Sequence, residues 1–391
     1  MIRLFSMMVL LFLAVLPDAM LPIALKTIAM DRYGVTAGQA HWFMAVNLLG
    51  AILVLPVLSL AWRKVPAWQL ISTAGVFNAV FMAIMAFPIG WEATLVVRAL
   101  EGSADLVSLS TILGLMGGGT FASSGRRFGL AGLVMMLGLA IGALGGGVFS
   151  ARSAPAVLLV STLICLGLAA VSWLVRAELE DVRDRTMRVA KATLRSRWRL
   201  ALWPSMFFAF GDRAMSAAIS VTGVLYLITV IGITSGRAGL LLFVSLLLMA
   251  IGSWPAGMLA DRVGQLRVRI LCVAGYGGAV AAMSLLDATE GRGLIILMIV
   301  LGLAGAGLIP TTYSLGSRSG GGVSDMGAIQ ASGTAGYFAG VMIAAVQFPG
   351  DGMEAGLVAF QRIFLGFAAG YLVLNLVAVT GLLRWKLRPG R

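Results

Sequence analysis

Six charged residues stand in stretches of sequence otherwise too apolar to hold them. Asp18 lies in LPDAMLPIALKTIA, Arg98, Glu101 and Asp105 in LVVRALEGSAD, and Asp212 and Arg213 in FGDRAMSAAISVTGVLYL. On a helix turning 100° per residue, Arg98, Glu101 and Asp105 fall within about 60° of one another, and Ser108 and Ile112 extend that face. One base with two acids can take up and release a proton. The Arg keeps a carboxylate charged, loss of water drives it neutral, and a change in either resets it. The same three residues can instead form a static ion pair that fixes packing. Asp18, between Pro17 and Pro22, is either a partner for Arg98 or a local group satisfying backbone atoms that the prolines free. Asp212, Ser216, Ile219 and Tyr226 share a helix face. The neighbours Asp212 and Arg213 either line a solute site or neutralise each other. Thr311, Thr312, Tyr313 and Ser314 after Pro310, and Gln330, Ser332 and Tyr337, are further candidate cavity groups.

The elements that must position these residues are membrane spans. The chain has 391 residues, 60% of them hydrophobic and 12% charged, with a mean hydropathy of +0.98. A soluble domain cannot bury that much apolar surface, whereas a bilayer acts as an apolar solvent for it. With about 20 apolar residues per span, twelve spans are predicted, at roughly 4–28, 39–61, 68–88, 93–116, 129–149, 155–175, 201–231, 238–259, 270–287, 293–315, 327–348 and 357–383. The first runs past Pro17 and Asp18 without a small-x-small cleavage site, so it reads as a span rather than a signal peptide. Residues 176–200, RAELEDVRDRTMRVAKATLRSRWRL, divide six spans from six. They are expected to form a cytoplasmic linker, a short helix lying against anionic lipid or binding a regulator. The expected organisation is therefore residues 1–175 as one six-helix half, 176–200 as linker and 201–391 as the second half.

Basic residues set the orientation. With the N-terminus inside, 21 of the 29 Lys and Arg face inward and six outward, while Arg98 and Arg213 lie within spans. The net charge of +13 is thus explained by loop position, with no basic domain for nucleic acid. Both termini are expected in the cytoplasm, and the chain in the cell (inner) membrane. Cys165 and Cys272 fall inside predicted spans, which leaves a disulfide framework unsupported. The lone His41 opens the second span near the outer face and is expected to be a wetted interfacial residue, with pH sensing as the alternative. There is no GxxxxGK[ST] phosphate loop, hence no direct ATP coupling, and no His/Cys metal cluster. No catalytic residues, cofactor or metal are expected.

The stretch Gly257 to Arg269, GMLADRVGQLRVR, joins two spans. Its G-x-L-A-D-R-x-G pattern with trailing Arg resembles the signature loop of the major facilitator superfamily. That resemblance implies a solute transporter in which Gly257, Asp261, Arg262, Gly264 and Arg267 form a conformational gate. The corresponding loop after the second span, LSLAWRKVPAWQLI, matches at Ala61 and Arg63 but has Trp62 in place of the Asp and Val65 in place of the second Gly. Span five, with GLAIGALGGGVF, resembles the superfamily's antiporter motif, with Ala143 where the Pro would stand. Its Gly138, Gly142, Gly145, Gly146 and Gly147, like Gly333, Gly336 and Gly340 of span eleven, equally suit close helix packing. LVVRALEGSAD resembles the family's fourth-span motif, with Glu101 replacing a Gln, and LPDAMLPIALKTIA resembles the first span of drug-efflux members.

These readings predict an all-α membrane protein of twelve transmembrane helices in two six-helix halves. They predict proton-coupled export of a small, partly apolar solute by alternating access. Import or facilitated diffusion by the same fold is the first alternative, and a non-transporting scaffold or receptor the second. Proton coupling is assigned to Asp18, Arg98, Glu101 and Asp105, with Glu101 the favoured carrier and Asp18 the second. The substrate cavity is assigned to Asp212, Arg213, Ser216, Tyr226, Gln330 and Tyr337. The partners are a small-molecule substrate, protons and the lipid bilayer, and the protein is read as a monomer.

Overall fold

The computed structural model describes residues 2–118, 125–193, 202–285, 291–318, 323–347 and 353–386. Among them every regular element is helical. This is the outcome a bilayer imposes, since a helix satisfies its backbone polar groups within one segment. Spans one to six are Ile2–Ile23, Ala37–Lys64, Ala67–Ala86, Trp91–Gly118, Gly125–Ser150 and Ala154–Leu174. Span seven comprises Trp203–Ala217, a π turn Ala218–Gly223 and Val224–Thr229. Spans eight and nine are Ser235–Val263 and Gln265–Met283. Span ten is Gly291–Gly305 with Leu308–Arg318, and spans eleven and twelve are Val323–Gln347 and Met353–Lys386. Among the described residues eleven helices are long and apolar enough to cross a membrane. The seventh predicted span differs because its π turn interrupts the α-helix. Span one carries a comparable π turn, Lys26–Met30, beyond Pro17 and Pro22. Both π turns lie a few residues past the half-buried acid of their span, Asp18 or Asp212.

Helix packing repeats between the halves. Spans one and five, two and four, and three and six pack together, and so do seven and eleven, eight and ten, and nine and twelve. Two seams hold the halves to each other: span five against span eight and span two against span eleven. The five–eight seam runs the length of both helices. Gly129 meets Ser253 at one end, and Gly147 meets Ser235 and Gly239 at the other. Span five also turns Gly138, Gly142 and Gly146 onto Phe12–Met20 of span one. At the end where span one finishes, an apolar cluster including Met20, Leu25, Phe43, Tyr226 and Phe364 draws on both halves.

The connecting helix Arg176–Thr193 departs from expectation over its front half. That face docks on protein instead of lying on lipid. Leu179 and Val182 are buried. Glu178 accepts a hydrogen bond from Ser6 Oγ at 2.6 Å. Glu180 accepts one from the Ala67 backbone N–H at 2.6 Å, capping the first turn of span three with negative charge. Arg183 bonds Glu180 at 3.0 Å and the Trp62 carbonyl at 3.1 Å. An acid absent from the span two–three loop, where Trp62 stands, is thus supplied by the linker. The side chains of 186–200 lie outside the described residues.

Candidate functional site

The charged residues of span four are placed by a close helix crossing. A Cβ on Gly50 would overlap the Ala99 carbonyl, and one on Gly102 would overlap the Asn47 carbonyl. Only glycine at these two positions lets spans two and four touch backbone to backbone. The crossing brings Asn47 onto Glu101, whose Oε2 accepts from Asn47 Nδ2 at 2.8 Å and from Arg98 Nη1. Arg98 and Glu101 are buried, and the Arg98 guanidinium lies 5.0 Å from the centre of the Phe43 ring. Arg98 Nε has no hydrogen-bond partner among the described residues. Asp105 and Asp18 are only half-buried. Asp18 lies within electrostatic reach of Glu101, Arg98 and Arg213, and Asp105 within reach of Asp18, Glu101 and Arg98. The four residues predicted to couple protons therefore converge. Among the described residues, however, neither Asp18 nor Asp105 makes a hydrogen bond or ion pair. Asp18 does not satisfy backbone groups freed by Pro17 and Pro22.

The last six spans hold a second charged centre, which sequence reading missed. Asp212 does not neutralise Arg213. It is held in a fork by Arg269 of span nine, whose Nη2 and Nη1 donate to its two oxygens at 2.7 and 3.0 Å. Thr312 Oγ1 and Tyr371 Oη donate to the same carboxylate at 3.2 and 2.9 Å. Arg269 also donates to Thr312 Oγ1 and to Asn375 Oδ1, the latter at 2.9 Å, and its guanidinium lies 4.0 Å from the Phe208 ring centre. Arg269 is completely buried. Read from the sequence it is the last basic residue of an inner loop. In the structure that loop shrinks to Gly264 alone, with φ +103°, a backbone conformation that suits glycine. A usable signal existed. Gln265, Arg269, Val273, Tyr276 and Val280 fall on one helical stripe, and all are buried.

Gate and cavity positions divide. Gly257 is buried, and Asp261, Arg262 and Arg267 are exposed beside Gly264. Arg213 and Ser216 are half-buried on span seven. Tyr337 Oη and Ser220 Oγ share a hydrogen bond at 2.7 Å, and Tyr313 Oη donates to Gln330 Oε1. Tyr226 packs against rings of span twelve. It is fully buried between Phe360 and Phe364, with ring centres 5.1 and 5.5 Å away. His41 is likewise buried, not wetted. Its Nδ1 lies 2.7 Å from the Ala37 carbonyl and its Nε2 3.1 Å from Thr222 Oγ1 in the π turn of span seven, so it ties the two halves. Cys165 and Cys272 are free thiols. Among the described residues no cluster of His, Cys, Asp and Glu suits a metal ion.

Two six-helix halves with charged residues at their meeting face define a membrane protein of the transporter class. The sequence matches the family described as Major Facilitator Superfamily over residues 7–345, and the chain belongs to that family. It is a multi-pass membrane transporter and not an enzyme. No curated protein matches it in sequence. Among solved structures, a point mutant of the nucleoside transporter NupG is similar, with TM-score 0.67, 14% identity and coverage of 96% of this chain and 99% of that one. The unmutated NupG structure superposes with TM-score 0.63 at 15% identity, covering 97% and 99%. At these identities the likeness is one of fold.

Proposed function

We propose that this transporter couples proton movement to the export of a small, partly apolar solute, by rocking residues 1–175 against 201–391 about the central charges. The observation that carries the reading is the pair Asp18 and Asp105, half-buried and unbonded beside a bonded Arg98–Glu101 pair. Buried charges without partners are costly inside a membrane and are kept for function. A proton carrier must meet water in one conformation. Glu101, buried and already held by Arg98 and Asn47, suits that role less than Asp18. The carrier is therefore Asp18, with Asp105 second, and Arg98–Glu101 sets the field around them.

The linker and both termini lie on the cytoplasmic side of the inner membrane, as the excess of inward Lys and Arg supports, and the exposed turn at Asp261, Arg262, Gly264 and Arg267 is the gate. Asp261→Asn is expected to shift the balance of inward- and outward-open states without unfolding the chain. One observation favours a second reading, import or facilitated diffusion. The span-five glycines are accounted for by packing on spans one and eight, which leaves the antiporter resemblance without a directional role. The deciding experiment is flux in proteoliposomes holding the monomeric purified chain, with and without an imposed pH gradient. An inward proton gradient is expected to drive solute out. Accumulation inward would establish the second reading, and indifference to pH would remove proton coupling. Cysteine labelling that put residues 180–195 and the C-terminus on opposite faces would overturn the topology.

A further inference from the structure

Asp212 and Arg213 adjoin in sequence but do not balance one another in charge. Asp212 is turned into the last six spans and spent on Arg269, Thr312 and Tyr371. Arg213 points from the next position, 100° around the helix. It makes no ion pair or hydrogen bond among the described residues and is half-buried. Its stem crosses span eleven at Gly333, where Cγ would lie 3.1 Å from an added Cβ. Its charge reaches Tyr276, Tyr313, Tyr337 and, across the halves, Asp18. Asp18 and Arg213 thus feel each other without closing into an ion pair. The first six spans therefore hold two half-buried carboxylates, and the last six one half-buried guanidinium, with no side-chain bond among the described residues, where span one meets span seven and span four meets span eleven.

We infer that this space binds a zwitterionic solute of amino-acid type, its ammonium facing Asp18 and Asp105 and its carboxylate held by Arg213. The inference rests on the transport reading above and names its substrate class. An uncharged solute would answer none of the three charges and a singly charged one only one wall, whereas a zwitterion reaches both walls, its single ammonium shared between the two acids. A dianion would meet two acids. Tyr337, half-buried with its hydroxyl on Ser220, offers a ring face to an apolar side chain. Because the solute straddles the halves, it draws them together when bound. A proton and the ammonium compete for the same acids, so loading one releases the other, as exchange of proton for solute requires.

The test uses matched triples: phenylalanine, phenethylamine and 3-phenylpropionate, and leucine, isoamylamine and 4-methylpentanoate. Binding is read by thermal shift of the detergent-purified full chain, and movement by counterflow in proteoliposomes. In at least one triple the amino acid is expected to bind about tenfold or more tighter than either analogue, the scale of one charge-assisted hydrogen bond. Arg213→Gln should bring it down to the level of the amine, whose own binding stays unchanged, and Arg213→Lys should recover part of the loss. Without any solute, Arg213→Gln should unfold at the same temperature as the parent or higher, because it removes an uncompensated charge. The inference is overturned if in every triple the amino acid binds no better than its amine or acid. It is also overturned if Arg213→Gln weakens amine and amino acid alike, or if the solute-free variant loses several degrees of stability, which marks a packing residue. Proton-driven movement of uncharged solutes such as nucleosides, untouched by Arg213→Gln, would sink the zwitterion inference and leave the transport reading standing. Thermal shifts that follow the expected pattern with no counterflow would sink the transport reading instead.

Discussion

The two halves each bury an arginine over a phenylalanine ring and give it a carboxylate, yet they use the pair differently. In the last six spans Asp212 receives two bonds from Arg269 and one each from Thr312 and Tyr371, and Asn375 takes up another of the guanidinium's donors. That centre ties spans seven, nine, ten and twelve together and bonds both oxygens of Asp212. In the first six spans Glu101 receives only Arg98 and Asn47, and two further acids stand by without bonds. Among the described residues each arginine leaves its Nε without a partner, but the same residue types make a rivet where the carboxylate is bonded on both oxygens and a working site where two carboxylates have no bond at all. Satisfaction of the acids, not the presence of charge, separates the two.

Breaking the rivet should give the largest effect. Arg269→Ala leaves the Asp212 carboxylate without its counter-charge and opens a cavity where a fully buried side chain stood; it is expected to destabilise the detergent-purified protein by about 3–5 kcal/mol. The double change Arg269→Met with Asp212→Leu should recover much of that loss in the same unfolding assay, because two apolar groups replace two charges. Arg98→Ala is expected to cost less, about 2–3 kcal/mol, since Glu101 can answer its loss by taking up a proton. It should damage proton-driven transport and solute exchange together. Asp18→Asn sharpens the contrast further. Stability should change by under about 0.5 kcal/mol, while accumulation driven by a pH gradient disappears and solute exchange at equal pH continues. If Asp18→Asn and Asp105→Asn each keep full gradient-driven transport, the open acids are structural and the two centres are alike. The smallest effect is expected at the linker. Glu180→Ala removes a helix cap for about 1 kcal/mol, read as a lowered melting temperature with solute binding unchanged.

Much of this was legible in the sequence because a bilayer punishes ambiguity. Long apolar runs have one use, and an acid within such a run, as at Asp18 or Glu101, announces itself. Residues whose role depends on depth were harder to read. Arg269 follows Arg267 after a glycine, and the sequence does not show that the turn ends at Gly264 with a helix beginning at once. His41 reads as interfacial because it opens its span, and Tyr226 as a cavity group because it shares a helix face with Asp212 and Ser216. Their burial depends on helices far away in the chain, Thr222 for the first and Phe360 with Phe364 for the second. The partner of Asp212 was hidden for a related reason. Its nearest charge in sequence, Arg213, projects from another face of the helix, while its partner lies 57 residues on.

The single-residue turn at Gly264 has a mechanical consequence. Span eight, which ends there, packs along span five at the seam between halves, and span nine, which starts there, carries Arg269 into its bonds with Asp212. A linker this short has no slack, so the two helices act as the arms of one crank. Any displacement at the seam must reach spans seven, ten and twelve undiminished. The last six spans are then a stiff rotor, and the give that solute passage requires lies on the other side of the molecule, where the acids are free.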